Sequence, residues 1–351
     1  MTITNRNSGA IFALASAALF GISPALAKVA IGEMSPLMLA GLLYLGSGVG
    51  LRLILLLKRQ TVFSAVTTLK SPQVYRLIGT IVFGGILAPL AFAYGIKSGL
   101  AFEVSLLLNL ETVTTTVFAW FIFQEHVSKR VWLSKILILA GAIALTLKPS
   151  NGFAISPASL WILAACIFWG IDNNLTRDLE ELSPTVLASI KGLAAGLFNT
   201  VLAFILGQYA AEPLQVVSTL GIGALSYGIS LILFINALRL IGSARTTTYF
   251  AAGPFFGMLF AMVVLAEFPN PYQWGACFVM LVGVWALSRE QHTHLHTHEP
   301  VRHKHRHVHD EHHQHAHDGT EGTEPHDHFH SHTPITHAHV HWPDIHHRHN
   351  H

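Results

Sequence analysis

From residue 1 to about residue 288 the chain alternates long apolar stretches with short polar breaks. The stretches run roughly 17–25 residues, the length a helix needs to cross ~30 Å of hydrocarbon. The pattern predicts ten spans, over 10–31, 37–57, 77–97, 100–123, 131–148, 158–176, 184–208, 216–238, 243–266 and 271–288. The pairs 77–97/100–123 and 216–238/243–266 are the most closely spaced. The first apolar run follows only Arg6, is as long as a full span and ends without a small-residue cleavage site. It therefore reads as a permanent helix rather than a signal peptide. Beyond residue 288 the apolar runs stop, and histidine alternates with other residues to the end.

Composition supports lipid as the main solvent. Hydrophobic residues make up 51% and charged ones 11%, with mean hydropathy +0.47, against about 25% charge in a soluble domain. The charge divides unevenly: residues 1–288 carry 16 Lys/Arg and 10 Asp/Glu, residues 289–351 carry 5 and 9, and the latter hold 23 of the 24 histidines. Cys166 and Cys277 lie in apolar runs, where they read as small hydrophobes, so a disulfide-stapled secreted scaffold is excluded. Lys58, Arg59, Lys70 and Arg76, then Lys129 and Arg130, then Arg239 and Arg245 mark one set of loops; the intervening loops offer mainly Lys28, Lys97 and Lys148. The basic set should face the cytoplasm. With ten spans in the cell inner (plasma) membrane, both termini and the histidine tail would then be cytoplasmic.

The chain also repeats itself. Ser35-Pro36-Leu37-Met38-Leu39-Ala40 answers Ser183-Pro184-Thr185-Val186-Leu187-Ala188, and Gly21 and Lys28 match Gly170 and Arg177 with one residue of slippage. A constant offset then pairs Gly79 with Gly221, Phe92 with Phe234, Lys97 with Arg239, Glu125 with Glu267, Trp132 with Trp274 and Gly141 with Gly283. Each unit holds five spans, an odd number, so the second copy must lie upside down relative to the first. Inverted repeats are a transporter architecture that encloses a midplane site; a duplication kept only for packing is the alternative. The expected fold is an all-α integral membrane protein of ten transmembrane helices in two inverted five-helix repeats, residues 1–148 and 158–288. A disordered His-rich tail over 289–351 follows.

On these residues the chain resembles the drug/metabolite transporter superfamily in its EamA-domain form. The likeness covers essentially all of 1–288. It rests on Leu19-Phe20-Gly21 through Lys28, Ser35-Pro36, and Ser105-Leu106-Leu107-Leu108-Asn109-Leu110-Glu111. It continues through Ala119-Trp120, Glu125 and Ala140-Gly141, and in the second copy Gly253-Pro254, Glu267 and Val282-Gly283. Two departures stand out. Leu43 sits where many members have a basic residue, which the second copy keeps as Lys191, and Glu111-Thr112 replaces a mid-helix proline. The resemblance implies export or uptake of a small organic metabolite, with no cofactor required, and names no substrate.

Ionisable groups deep in a span cost about 2.5–3.5 kcal/mol on insertion scales, so each needs a reason. Glu111 is the sharpest case, with Asn109, Thr112 and Thr115 around it; Glu111 and Thr115 share a helix face. Low dielectric penalises the charged form of a carboxylate, so Glu111 is a candidate proton carrier coupled to substrate, or a structural ion-pair partner. Glu111-Thr112 maps onto Gly253-Pro254, a pair that breaks the backbone ladder and suits a cavity wall. Lys191 could partner Glu111, bind a substrate carboxylate, or snorkel, the last being favoured. Tyr227, Asn236 and Tyr249 are further cavity candidates. Trp169, Asp172 and Asn173 make a polar end to the sixth span, a gate or simply a helix terminus. Glu125 and Glu267 read as interfacial ends, and Arg52 as a snorkelling residue. His126 is the only histidine before the tail and no phosphate-binding glycine loop occurs, so an enzyme is not expected, nor is nucleic-acid binding.

Pro300, Pro325, Pro334 and Pro343 interrupt the tail, which predicts disorder without ligand. In an extended chain positions i and i+2 fall on one side, so alternating histidines can chelate Zn²⁺, Ni²⁺, Co²⁺ or Cu²⁺. The candidate ligands are His303, His305, His307, His309, His312, His313, His315, His317, His337, His339, His341, His346 and His347. No fixed finger spacing occurs, which predicts loose, exchangeable sites. A pH-responsive polyelectrolyte is a competing reading, as is a remnant without a role. The leading functional expectation is a secondary transporter, an exporter, of a small organic metabolite, with lipid bilayer, substrate and transition-metal ions as partners and a homodimer left open. The alternatives are a transition-metal or metal-chelate transporter, and a membrane-anchored metal buffer or sensor.

Overall fold

The computed structural model describes residues 3–60, 62–67, 69–125, 127–146, 156–177, 179, 181–209 and 211–288. In the tail it describes residues 292–298, 302–307, 326–331 and 335–341. Residues 1–289 form one compact unit and residues 290–351 another.

The first unit is helical throughout its described elements. Its first half runs α1 (Ile3–Gly21), α2 (Ser23–Ile31), α3 (Pro36–Leu57), a short α4 (Val62–Thr67) and α5 (Ser71–Thr80). A π-helical segment (Ile81–Leu87) leads to α6 (Ala88–Ser98), α7 (Ala101–Leu107), α8 (Leu110–Phe123) and α9 (Lys129–Thr146). Its second half runs α10 (Pro157–Thr176), α11 (Pro184–Ile205) and α12 (Pro213–Ile222). A second π segment (Gly223–Ile229) leads to α13 (Ser230–Phe250), α14 (Gly253–Val264) and α15 (Pro271–Ser288).

Eight helical stretches among the described residues are long and apolar enough to cross a membrane. They are Asn7–Ile31, Pro36–Leu57, Ser71–Ser98, Ala101–Ile122, Pro157–Thr176, Pro184–Ile205, Pro213–Gly242 and Arg245–Val264. Large apolar side chains on them face outward, Leu57, Phe121 and Val263 among them, as lipid-facing surface does. The chain is thus a multi-pass membrane protein. The remaining two expected spans are helices α9 and α15, but they fall short of the other eight. Lys129, Arg130 and Lys135 dilute α9, and the apolar stretch of α15 is the shorter Pro271–Leu287. The span expected over 100–123 is interrupted between α7 and α8. The gap expected between 238 and 243 is instead helix carried through to Phe250, with one non-helical residue, Gly242 at φ 78°.

Local chemistry recurs between the halves at fixed spacing. Ser35 accepts the Met38 amide hydrogen at the start of α3, and Ser183 accepts that of Val186 at the start of α11. Each side-chain cap stabilises its helix by about 1 kcal/mol. Gln73 Oε1 accepts the Lys70 backbone N–H and Gln215 Oε1 that of Glu212, each N-cap being followed by ten α-helical residues and then a seven-residue π segment. Left-handed backbone closes equivalent turns at Gln124 (φ 55°) and Ala266 (φ 53°).

Equivalent helices of the two halves pack against each other, and they pack antiparallel. Gly48 meets Gly192 and Leu193 while Gly196 meets Leu45 and Tyr44, so advancing along α3 retreats along α11. At α9 and α15, Gly141 lies on Ala276 and Met280, and Gly283 lies on Ser134 and Ile138. Without an aqueous drive between helices in lipid, such small-residue seams permit the close backbone approach that holds them.

The second unit carries β1 (His292–His298), β2 (Arg302–His307), β3 (His326–Ser331) and β4 (Ile335–His341). β1 pairs antiparallel with β4, and β2 with β3. These strands occupy part of the segment expected to be disordered without ligand. Prolines 300, 325, 334 and 343 fall between or outside the strands rather than within them, as a ladder that cannot use a residue lacking N–H requires.

A Cβ added at Gly196 would lie 2.8 Å from Leu45 Cα and 2.9 Å from the Tyr44 carbonyl carbon, whereas one at Gly221 would meet nothing within 4 Å. Gly196→Leu should therefore lower thermal stability in detergent by about 1–3 kcal/mol, and Gly221→Ala should leave it unchanged or slightly raised. Equal melting of the two variants would contradict this packing.

Candidate functional site

The interruption between α7 and α8 creates the site. Leu108 and Asn109 separate the two helices, and Asn109 Nδ2 donates to the Leu106 carbonyl at 3.0 Å. Glu111 consequently falls in the first turn of α8, where unpaired backbone N–H groups and the helix dipole favour an anion. The equivalent break in the second half lies at Ala251–Ala252, with Pro254 in the first turn of α14.

α10 lies against α8 through Gly170, where an added Cβ would sit 2.7 Å from Thr114 Oγ1 and 3.0 Å from the Thr115 nitrogen. That approach lets Asn173 Nδ2 donate to Glu111 Oε1 at 2.9 Å and to Thr115 Oγ1 at 3.1 Å. Asn174 Nδ2 donates to the Gly170 and Thr115 carbonyls at 2.8 and 3.1 Å. Asp172, one residue before Asn173, is buried and takes a charged donor, Lys191 Nζ of α11, at 2.6 Å. Lys191 therefore does not snorkel: its ammonium is drawn inward by a carboxylate 4% exposed. The first π segment brings Gly84 against the Asp172 carboxylate, leaving no room for a side chain there. The Tyr44 hydroxyl donates to the Gly84 carbonyl at 2.7 Å and accepts from Trp169 Nε1 at 3.2 Å. π segments inside α-helices are frequent at functional sites, and here one lays Gly84 against Asp172 and Gly85 against Lys191.

These groups open onto a cavity of about 420 Å³. Both halves line it. Asn109, Glu111, Thr112, Trp169, Asp172, Asn173, Lys191, Tyr227 and Pro254, all candidates from the sequence, are on its wall. Thr115 stands one step behind, through Asn173. Three further candidates are also off the wall. Gly253 faces Ala17 and Gly21 of α1, Tyr249 is 36% exposed, and Asn236 lies two residues past Phe234, which takes the cavity face of α13. Phe20, Tyr44, Ser47, Ser226, Ser230 and Phe250 also line the cavity, none of them a cavity candidate from the sequence. Phe20 contacts Tyr227 edge-on at 5.8 Å and Phe250 at 5.4 Å, and Phe234 meets Phe250 at 4.9 Å, forming an aromatic wall. Ser226 Oγ, on the second π segment, is buried on this wall with no hydrogen-bond partner among the described residues.

Glu125 and Glu267 do more than end their helices. Glu125 pairs with Arg177, next to the end of α10. Glu267 accepts the Phe102 amide hydrogen at 3.1 Å and acts electrostatically on Lys28. Lys28 Nζ in turn donates to the Ile96 and Gly99 carbonyls, both at 2.7 Å, closing the end of α6. Arg52 is only partly withdrawn to the surface; its Nη1 is buried with no hydrogen-bond partner among the described residues. Among the described residues of the helical unit, no group of three or more His, Cys, Asp or Glu that could hold a metal ion occurs. Of the tail's candidate ligands, His303, His305, His307, His337, His339 and His341 are on strands. His309, His312, His313, His315, His317, His346 and His347 lie outside the described residues.

A family model described as the EamA-like transporter family matches residues 7–147 and, a second time, residues 156–289. An uncharacterized transporter of Methanothermobacter thermautotrophicus is 27% identical over 293 residues, spanning 80% of this chain and 85% of that protein. A crystal structure of a protein aligns with TM-score 0.58 over 80% of this chain and 96% of its own, at 19% identity, a likeness of fold alone.

Removing one partner of a buried ion pair costs about 3–5 kcal/mol, because the other charge is left uncompensated. Lys191→Met should therefore lower thermal stability strongly, and adding Asp172→Asn to it should restore much of the loss. A double variant melting as low as the single one would show that the pair does not bear on the fold.

Proposed function

The chain belongs to the EamA-like transporter family, and from that premise we propose that it is a secondary-active inner-membrane exporter of a small organic metabolite, working by alternating access. The observation that carries this is the cavity walled by both halves with Glu111 on it. A volume of about 420 Å³ lies in the range of small-molecule sites, ~300–1,000 Å³. The antiparallel pairing of equivalent helices supplies two oppositely oriented modules, residues 1–148 and 158–288, that can rock about such a site.

The walls favour a substrate with an apolar or aromatic body and one donor or cationic group. Lys191 is already matched by Asp172, whereas Glu111 takes its side-chain hydrogen bond from the neutral amide of Asn173. A proton and a substrate donor would then compete for Glu111, which couples their movements. Ser226 offers a further hydroxyl to a polar substituent. Trp169, Asp172 and Asn173 join the cavity wall to the charged pair, and we assign them the gate: opening toward one side requires α10 to move relative to α8 and α11. The protein so read is a transporter, not an enzyme, and needs no cofactor. The bias of Lys and Arg among its loops puts both termini in the cytoplasm, where the tail binds divalent transition-metal ions. The alternative in which a metal or metal chelate is the cargo draws its support from that tail alone.

Glu111→Gln, in proteoliposomes loaded with a panel of small amines, amino acids and neutral aromatics, should abolish pH-dependent flux of any substrate that the unaltered protein moves. It should leave folding intact, since Gln can still accept from Asn173. Unchanged flux with an unchanged pH profile would reject the coupling role.

A further inference from the structure

The tail's strand pairing is specific in a way its composition is not. In the β1–β4 ribbon His292 faces His341, His294 faces His339 and His296 faces His337. In the β2–β3 ribbon His303 faces His330, His305 faces His328 and His307 faces His326. Strand residues alternate faces with period two, so each ribbon gathers its histidines on one face, three facing pairs in each and His298 besides in the first. The first column stops where His298 faces Ile335. The opposite faces differ. That of β1–β4 holds Thr293, Leu295 and Thr297 against Val340, Ala338 and Thr336. That of β2–β3 holds Arg302, Lys304 and Arg306 against Ser331, Phe329 and Asp327. A slip of one residue would face every histidine with a non-histidine.

We propose that the two ribbons are histidine ladders, each of which holds divalent transition-metal ions between its facing strands. The proposal rests on the tail being the metal-binding segment, and adds which histidines act together. Directly opposed positions carry Cβ atoms about 4.5–5.5 Å apart, and Zn–N bonds are about 2.0–2.1 Å. Two histidines at facing register positions are therefore spaced to serve one ion. The next pair lies two residues on, about 6.6–6.8 Å along the strand, close enough for two pairs to complete a four-coordinate site. Imidazole sets of this kind take Zn²⁺, Co²⁺, Ni²⁺ or Cu²⁺. The three cations on the far face of β2–β3, offset by Asp327 alone within that ladder, repel a divalent ion, so β1–β4 is the tighter ladder. Half of the ligands come from each end of the tail, and an ion bound there ties residues 292–296 to residues 337–341.

The full-length protein in nanodiscs is titrated with Zn²⁺ against a chromophoric chelator, and with Co²⁺ read by its visible absorption. Four variants are compared with the parent. One carries His292→Ala, His294→Ala and His296→Ala; a second carries His337→Ala, His339→Ala and His341→Ala; a third combines the two sets. A control carries His312→Ala, His315→Ala and His317→Ala. The ladder predicts that either strand set alone removes the tightest class of sites, that the combination removes no more of that class, and that the control keeps it. If every triple lowers binding by the same share and the combination by twice that share, the tail binds metal as loose independent sites and the ladder is wrong. If the parent binds neither ion, the ladder and the metal-binding tail both fall.

Discussion

The structure depends on the cost of carrying charge into the apolar interior of a membrane protein. That cost is met in different ways at neighbouring positions. Asp172 and Lys191 neutralise each other at 2.6 Å, which fixes α10 to α11. Glu111 has the amide of Asn173, the hydroxyl network behind it and the first turn of α8. These are contacts that can support the carboxylate in either protonation state. A matched pair locks; a carboxylate held by neutral donors can exchange what it holds. The distinction turns a polar hollow into a place where a substrate can be taken up and released.

The scaffold around that hollow is built twice. Helix starts, glutamine caps, π segments and left-handed turns recur at equivalent positions in the two halves. Glycine seams run antiparallel between α3 and α11 and between α9 and α15. The two copies then diverge where the chemistry sits. At the broken fourth span one half offers Glu111-Thr112 and the other Gly253-Pro254. In the second span the basic residue survives only as Lys191, with Leu43 in its counterpart. Symmetry provides the two faces of the cavity, and its local failure makes them chemically unequal.

The spans were legible because an apolar run of that length has few other uses, and the repeat was legible because turn residues and glycines kept their spacing. Glu111 was legible because a carboxylate amid apolar residues and threonines demands a reason. The partner of Lys191 was not, since Asp172 belongs to a different helix and only packing brings the two together. The break before Glu111 carries no glycine or proline to announce it, whereas Gly253-Pro254 announced its counterpart. The aromatic wall of Phe20, Phe234 and Phe250 was hidden among many apolar residues with the same pattern. In the tail the alternation of histidine was plain, but a period of two does not say which strand faces which, and the register is what makes columns of it.

The central claim is that one cavity, walled by both halves, opens in turn to the two sides of the membrane. Ser226 lines it, so a single cysteine at that position, in a protein whose Cys166 and Cys277 have been replaced by alanine, reports directly on access. Oriented vesicles are treated with a membrane-impermeant thiol reagent applied outside, or trapped inside. Alternating access predicts labelling of Ser226→Cys from both sides, slowed from both by a transported substrate. Labelling from one side alone, under every substrate and pH condition, would contradict it and leave a fixed binding pocket in its place.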